Sequence, residues 1–150
     1  MREFFDGPVV LAGGISDGAA ILAAQVLGAD LAYMGTKFIA TRESMAEPAY
    51  KQMLVDCSVE DIVVSAGITG TAASWLKPSL RANGLDPDNM PAPPTRSYNS
   101  NQSIASKRWM DVWAAGQGVG RIKAVQSVAE VVDGLDADYR RAQARLARLD

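Results

Sequence analysis

Two short apolar segments on either side of an amphipathic segment constrain the fold of this chain more than any other feature. Residues 8–11 (PVVL) and 30–34 (DLAYM) are typical of strands, and residues 16–27 between them are typical of a helix. The apolar side chains of that helix recur three and four residues apart, at Ala20, Ile21, Ala24 and Leu27. A strand, a helix and a strand in this order predict a βαβ unit with adjacent, parallel strands.

The ends of this unit carry the expected signals. Ser16 is predicted to cap the helix, Asp17 to lie in its first turn, and Gly28 to end it. Residues 8–11 are apolar on both faces, which is typical of parallel strands covered by helices. Two strands alone cannot cover their own helices, and a two-stranded parallel sheet has an exposed edge on each side. The sequence therefore indicates a portion of a larger α/β structure.

The rest of the chain predicts mainly helices and loops. We expect a loop at 37–41, a helix at 43–54, a short strand at 61–65 and a helix at 71–83 closed by Gly84. A proline-rich loop at 86–103, a helix at 107–114, a turn at 116–120 and a helical tail at 127–149 complete the chain. Gly134 is a possible break in the tail, whose predicted buried face consists of Val128, Val131, Val132 and Leu135.

The composition excludes several kinds of catalytic site, metal site and partner. The chain has no histidine, which excludes a histidine base, a Ser-His-Asp triad and a His-Cys metal site within it. The single cysteine, Cys57, cannot form an internal disulfide, which favours a passive thiol and a cytoplasmic location. A net charge of −2 argues against a nucleic-acid partner, and no apolar run is long enough to predict a membrane span. The cluster Arg140, Arg141, Arg145 and Arg148 is interpreted as a solvated helix face.

Glycines at the ends of both predicted strands indicate a ligand. Gly13 and Gly14 follow the first strand, and Tyr33, Met34, Gly35 and Thr36 end the second. Adjacent strands lie about 4.8 Å apart, so both loops can present backbone N–H groups to one phosphate. In (β/α) barrels the usual phosphate site lies in the loops after the last two strands. The alternative is that each glycine serves only a tight turn.

Three segments resemble the C-terminal region of nitronate monooxygenases, formerly called 2-nitropropane dioxygenases. They are VVLAGGISDGAAILAAQVLGADLAYMGTKFIAT, SAGITGTAASWLKPSLRANGLDP and WAAGQGVGRIKAVQSVAEVV, in the family's order. The resemblance implies an α/β fold, namely the C-terminal part of a TIM-type (β/α) barrel with additional C-terminal helices. Residues 1–56 would form the last βαβ unit and closing helix of a flavin-binding barrel, and residues 57–150 a helical and loop region packed on it. The implied activity is FMN-dependent oxidation of alkyl nitronates.

The resemblance also implies that Gly14 binds the FMN phosphate through its backbone, that Gly13 supports the turn, and that residues 33–36 belong to the same zone. It assigns no catalytic residue to this chain, because the family's ring-binding strands and its catalytic histidine segment have no counterpart here. Other predictions are a turn or a flavin contact for Gln117, solvation for Glu60 and Asp61, and packing for Trp75, Trp109 and Trp113, the last two on one helix face.

Several alternatives remain at this stage. One alternative is another flavin barrel, such as a flavin-dependent enoyl-acyl-carrier-protein reductase or a nucleotide dehydrogenase. A second alternative is a truncated, non-catalytic product or a module that works with another chain. The expected partners are therefore FMN, a small nitroalkane or nitronate, and either the remaining barrel portion or further copies of this chain.

Overall fold

The computed structural model describes residues 2–92 and 111–148. Strand β1 (Val10–Ala12), helix α1 (Gly18–Val26) and strand β2 (Leu31–Tyr33) form the predicted βαβ unit. The two strands are parallel, with Val10 opposite Leu31 and Ala12 opposite Tyr33. The prediction of adjacent parallel strands is therefore confirmed, although each strand is shorter than its apolar segment.

The start of α1 differs from the prediction. Asp17, and not Ser16, is the N-cap, and its carboxylate accepts a hydrogen bond from the Ala20 amide at 2.8 Å. Gly28, at φ +94°, follows the end of the helix as predicted. The predicted buried face is partly wrong, because Ala24 is buried whereas Leu27 is 79% exposed.

A long C-terminal helix, α5 (Val128–Leu146), packs along α1. It begins at a capping box, in which Ser127 and Glu130 accept hydrogen bonds from each other's backbone amides. Gly134 lies within the continuous helix, so the possible break there is wrong. Val131 and Leu135 are buried as predicted, whereas Val128 and Val132 are substantially exposed. Tyr139 donates a hydrogen bond to the Gln25 side chain at 2.6 Å, which links α5 to α1.

The segment after β2 is more helical at its start and less helical later than predicted. The expected loop at 37–41 begins with the short helix α2 (Thr36–Ile39). The helix predicted at 43–54 is observed as α3 (Pro48–Asp56), which starts and ends later. Proline disfavours helical backbone in the residue before it and suits the first helical position, which explains the later start.

The helix predicted at 71–83 is wrong in its first half. Strand β3 (Ile62–Ser65) pairs antiparallel with strand β4 (Ala73–Leu76), and only α4 (Lys77–Ala82) is helical. The helix predicted at 107–114 is also wrong at its end, because Ala114 pairs with Trp75 and the Leu76 amide donates to the Trp113 carbonyl at 2.9 Å. Gly84, at φ +71°, follows α4 as predicted.

The core consists of two clusters of buried side chains. The first joins residues from both sides of position 56: Ala40, Leu54, Cys57, Leu76, Ala115, Val119 and Ile122. The second surrounds the β3–β4 hairpin: Ile68, Trp75, Leu80 and Val112. Short 3-10 helices at Val59–Asp61 and Val119–Arg121 connect these elements.

The tryptophans that the structure describes pack as predicted, though not on a helix. Trp75 is 1% exposed, and Trp113 stacks on Tyr50 with ring centroids 5.0 Å apart. Trp109 and most of the loop predicted at 86–103 lie outside the described residues. Within the described ranges, no helix has the length and apolar character that crossing a membrane requires.

Candidate functional site

A small cavity, here called the strand-end cavity, lies at the carboxyl ends of β1 and β2. Its wall contains all six residues selected from the sequence, together with five others: Gly13, Gly14, Ile15, Ser16, Tyr33, Met34, Gly35, Thr36, Lys37, Gly116 and Gly118. Its volume is about 70 Å³. A single water needs about 10–15 Å³ on this measure, so the cavity has room for a group of several non-hydrogen atoms.

The backbone at Gly13 and Gly14 leaves the cavity open. Both residues have positive φ, at +90° and +71°, and a Cβ added to either would meet no atom within 4 Å. The parallel register of β1 and β2 directs the Gly13 amide toward the Tyr33 carbonyl, whereas the Gly14 amide lies beyond the ladder and donates to no described backbone carbonyl. The Gly14 amide is therefore available to a ligand, and glycine is the residue that adopts this backbone with least strain.

The first turn of α1 contributes less than the sequence suggested. The Asp17 carboxylate already accepts the hydrogen bond of the Ala20 amide, and it brings a negative charge to the start of the helix. No residue of α1 lines the strand-end cavity, so the donors that face it are the amides of the two loops at Gly13–Gly14 and Gly35–Thr36.

A distant segment closes the cavity. The Gly116 amide donates to Thr36 Oγ1 at 2.8 Å, which leaves the hydroxyl hydrogen of Thr36 available to a ligand. Gly118 lies so close to Ser16 that an added Cβ would be 2.7 Å from the Ser16 Cβ. Gln117 between these glycines is exposed and does not line the cavity, as expected for a turn.

Lys37 is a site residue that the sequence analysis missed. It follows Thr36 and lines the same cavity, so it adds a cationic side chain to the site. A cation directly after a glycine-threonine pair at a strand end was the available signal. From the sequence, Gly116 and Gly118 could be interpreted only as part of a glycine-rich turn.

The other candidates lie away from this cavity. Cys57 is 6% exposed, and burial, followed by the charges of Asp61 and Asp56, raises the pKa of its thiol, as suits a passive side chain. Asp61 accepts hydrogen bonds from the Ser58 amide and hydroxyl, which lower its pKa and give it a capping role. Glu60 is exposed, as predicted.

The fold and the cavity define an α/β protein that presents open backbone amides at the carboxyl ends of adjacent parallel strands, where ligands bind in this fold class. The family model for nitronate monooxygenase matches residues 1–138. The chain belongs to the nitronate monooxygenase family.

Individual relatives agree with this assignment. A probable nitronate monooxygenase from Staphylococcus haemolyticus is 32% identical over 135 residues, which cover 85% of this chain and 37% of the relative. A nitronate monooxygenase from Paraburkholderia phytofirmans is 40% identical over 99 residues, which cover 65% of this chain and 27% of the relative. The chain thus spans well under half the length of these relatives.

Two solved structures have similar folds. FabK from Thermotoga maritima superposes with a TM-score of 0.74 at 26% identity, over 97% of this chain and 48% of FabK. Nitroalkane oxidase from Streptomyces ansochromogenes superposes with a TM-score of 0.71 at 33% identity, over 97% of this chain and 43% of the oxidase. The mixed α/β arrangement of the chain is therefore that of about half of each solved protein.

Proposed function

We propose that the chain supplies the FMN phosphate site of an oxidoreductase that oxidises alkyl nitronates. The observation that carries the proposal is the strand-end cavity, in which the loops after two adjacent parallel strands face one small space. Membership of the nitronate monooxygenase family supports the reaction and the substrate class.

The residues of the cavity fit a phosphate group. The Gly14 amide would donate to its oxygens, as would the amides of Gly35 and Thr36 and the Thr36 hydroxyl, while Gly13 would support the turn. Lys37 would offset its negative charge. When bound, the flavin supplies the redox chemistry, and these residues hold and orient it.

The same cavity explains why the chain alone is expected to retain flavin poorly. Its volume of about 70 Å³ suits a phosphate, whereas sites for whole small molecules measure about 300–1,000 Å³. Without contacts to the isoalloxazine ring, the chain gains only a small part of the free energy with which a complete site binds FMN. Nor does the chain contain a histidine that could act as the base.

The exposed faces of β1 and β2 indicate where further structure belongs. Val10 and Leu31, which are paired across the two strands, are 52% and 60% exposed, and Tyr33 is 67% exposed. Parallel strands are almost always buried on both faces. We infer that these faces pack against the remaining strands of a (β/α) barrel of nitronate monooxygenase type, with residues 1–56 as its last βαβ unit and residues 57–150 packed on it.

A chimera tests this function. The aligned region of the Staphylococcus haemolyticus relative is replaced by this chain, and flavin content and oxygen consumption with an alkyl nitronate are measured. We expect bound FMN and nitronate turnover in the chimera. A folded chimera without flavin would contradict the phosphate assignment, and turnover of an enoyl thioester in place of a nitronate would favour a reductase.

A matched pair of variants shows whether flavin binding in the chimera depends on the strand-end cavity. Gly14 and Gly84 have the same φ of +71°, and a Cβ added to either would meet no atom within 4 Å, but only Gly14 lines the strand-end cavity. Gly14→Ala and Gly84→Ala therefore introduce similar backbone strain, of about 1–2 kcal/mol. Only Gly14→Ala is expected to lower the flavin content.

A further inference from the structure

A second and larger cavity, here called the basic cleft, adjoins the strand-end cavity between the start of α1 and the C-terminal half of α5. Its volume is about 360 Å³. Its wall consists of Ser16, Asp17, Ala19, Lys37, Arg121, Asp138, Arg141, Ala142 and Arg145. Ser16 and Lys37 line both cavities, so the two spaces share a wall.

The basic cleft is positively charged in a chain that is negative overall. Four of its lining side chains are cationic and two are carboxylates, whereas the chain carries a net charge of −2. Both carboxylates are already engaged. Asp138 forms an ion pair with Arg141, and Asp17 accepts the Ala20 amide and lies 3.7 Å from the Arg121 guanidinium.

Two of the cations remain without a carboxylate. Across residues 2–92 and 111–148, neither Lys37 nor Arg145 has an ion-pair partner. They belong to two different helices, α2 and α5, and both line the basic cleft. A negative group in the basic cleft would therefore meet positive charge from both helices.

The arginines of α5 divide into two sets. Arg141 and Arg145 line the basic cleft, one helical turn apart. Arg140 does not line it and pairs instead with Asp136 at 2.8 Å. All four arginines of the cluster are exposed, as the sequence predicts, but Arg141 and Arg145 also form a charged wall.

We propose that the basic cleft binds a second phosphoryl group beside the one held in the strand-end cavity. Guanidinium and ammonium groups are the usual partners of phosphate, and about 360 Å³ lies within the range of small-molecule sites. The group belongs either to the distal part of a flavin dinucleotide that crosses the shared wall or to a separate phosphate ester. This site does not depend on the reaction that the flavin performs.

Inorganic pyrophosphate is the first probe, in calorimetric titration of the full chain at low ionic strength. We expect binding that weakens with salt, because the arginines are exposed and screened. Arg145→Ala should weaken it about two- to fivefold, as for the loss of one exposed charge pair. Arg140→Ala is the matched control, since it removes an arginine from the same helix outside the basic cleft, and it should leave the affinity unchanged.

Gly14→Ala separates this site from the strand-end cavity. Pyrophosphate binding that survives Gly14→Ala and weakens in Arg145→Ala supports the proposal even if FMN does not bind. No binding to the native chain, or binding that is lost in Gly14→Ala and unchanged in Arg145→Ala, would overturn it. Circular dichroism of each variant shows that the fold is retained.

Two further ligands identify the source of the group. If FAD binds more tightly than FMN and Arg145→Ala removes the difference, the second phosphoryl group is part of a dinucleotide. If ADP binds in the presence of saturating FMN and Arg145→Ala weakens it, the group belongs to a separate molecule. Either result supports an anion site in the basic cleft.

Discussion

Replacing Gly18 by alanine is expected to destabilise the packing of α1 on α5, which positions the loop at Gly13 and Gly14. Gly18 is the first residue of α1 and lies directly against α5. A Cβ at this position would be 2.2 Å from both the Leu135 carbonyl oxygen and the Tyr139 amide nitrogen, whereas ordinary contacts begin at 3.4 Å. Both atoms belong to the backbone, so no side-chain rotation relieves the clash, and the helices must separate.

The magnitude follows from two opposing effects. Overpacking of a filled interior costs about 1–3 kcal/mol, and the loss of glycine's freedom in the unfolded chain returns about 0.4–1 kcal/mol. We expect Gly18→Ala to lower the free energy of unfolding by about 1–2 kcal/mol, or the Tm by roughly 2–8 °C for a chain of this size.

Gly134→Ala is the control within the same pair of helices. Gly134 lies inside α5, and a Cβ there would meet no atom within 4 Å. Alanine is favoured over glycine in a helix by about 1 kcal/mol, so this variant should be more stable than the native chain. Urea unfolding followed by far-UV circular dichroism measures both variants. A Gly18→Ala protein as stable as the native chain would refute the close packing of α1 on α5.

Three further outcomes are expected. The purified chain should carry little or no FMN, and stoichiometric flavin absorbance would contradict the need for ring contacts elsewhere. Gly118→Ala should weaken FMN phosphate binding, because its Cβ would lie 2.7 Å from Ser16 Cβ and displace the glycine loop; unchanged binding would show that the Gly116–Gly118 turn does not position it. The Ser127 amide, then the Ser127 hydroxyl and Arg42, lower the pKa of Glu130 from its ordinary 4.5. Its stabilising effect is therefore complete above that value and lost as the pH falls through the lower folded pKa, so Glu130→Gln should reduce the acid dependence of unfolding.

The βαβ unit was predictable because all its signals are local. Apolar strands, a helical period and glycine turns occupy one continuous stretch, and the parallel pairing of β1 with β2 follows from them. The predicted strands are longer than the observed ones because the sequence alone does not distinguish an apolar residue inside a hydrogen-bonded strand from one just beyond its end.

The β3–β4 hairpin was not predictable in this way. Residues 73–76 resemble the start of a helix, but the buried Trp75 donates its indole hydrogen bond to the Ser65 carbonyl at 3.0 Å and pairs with Ala114. Ser65 lies ten residues before Trp75 and Ala114 lies much further along the chain, and such tertiary contacts override local helix propensity. Pro78 at the start of α4 was the local signal that the helix begins late.

The candidate site was predictable only in part for the same reason. The glycines of both strand ends follow from the sequence, whereas the closing turn at Gly116 comes from a segment 80 residues beyond Thr36. Lys37 was assigned to a loop because four residues of helix, the length of α2, are too few to show a period.

The phosphorus NMR signal of FMN tests the central claim most directly, because it reports weak contact with the phosphate itself. We expect the native chain and Gly84→Ala to broaden or shift this signal, inorganic phosphate to reverse the effect, and riboflavin to leave it unchanged. Gly14→Ala should abolish the perturbation. A phosphorus signal that the native chain leaves unaltered, or that Gly14→Ala perturbs as strongly as the native chain, would contradict a phosphate site at the ends of β1 and β2.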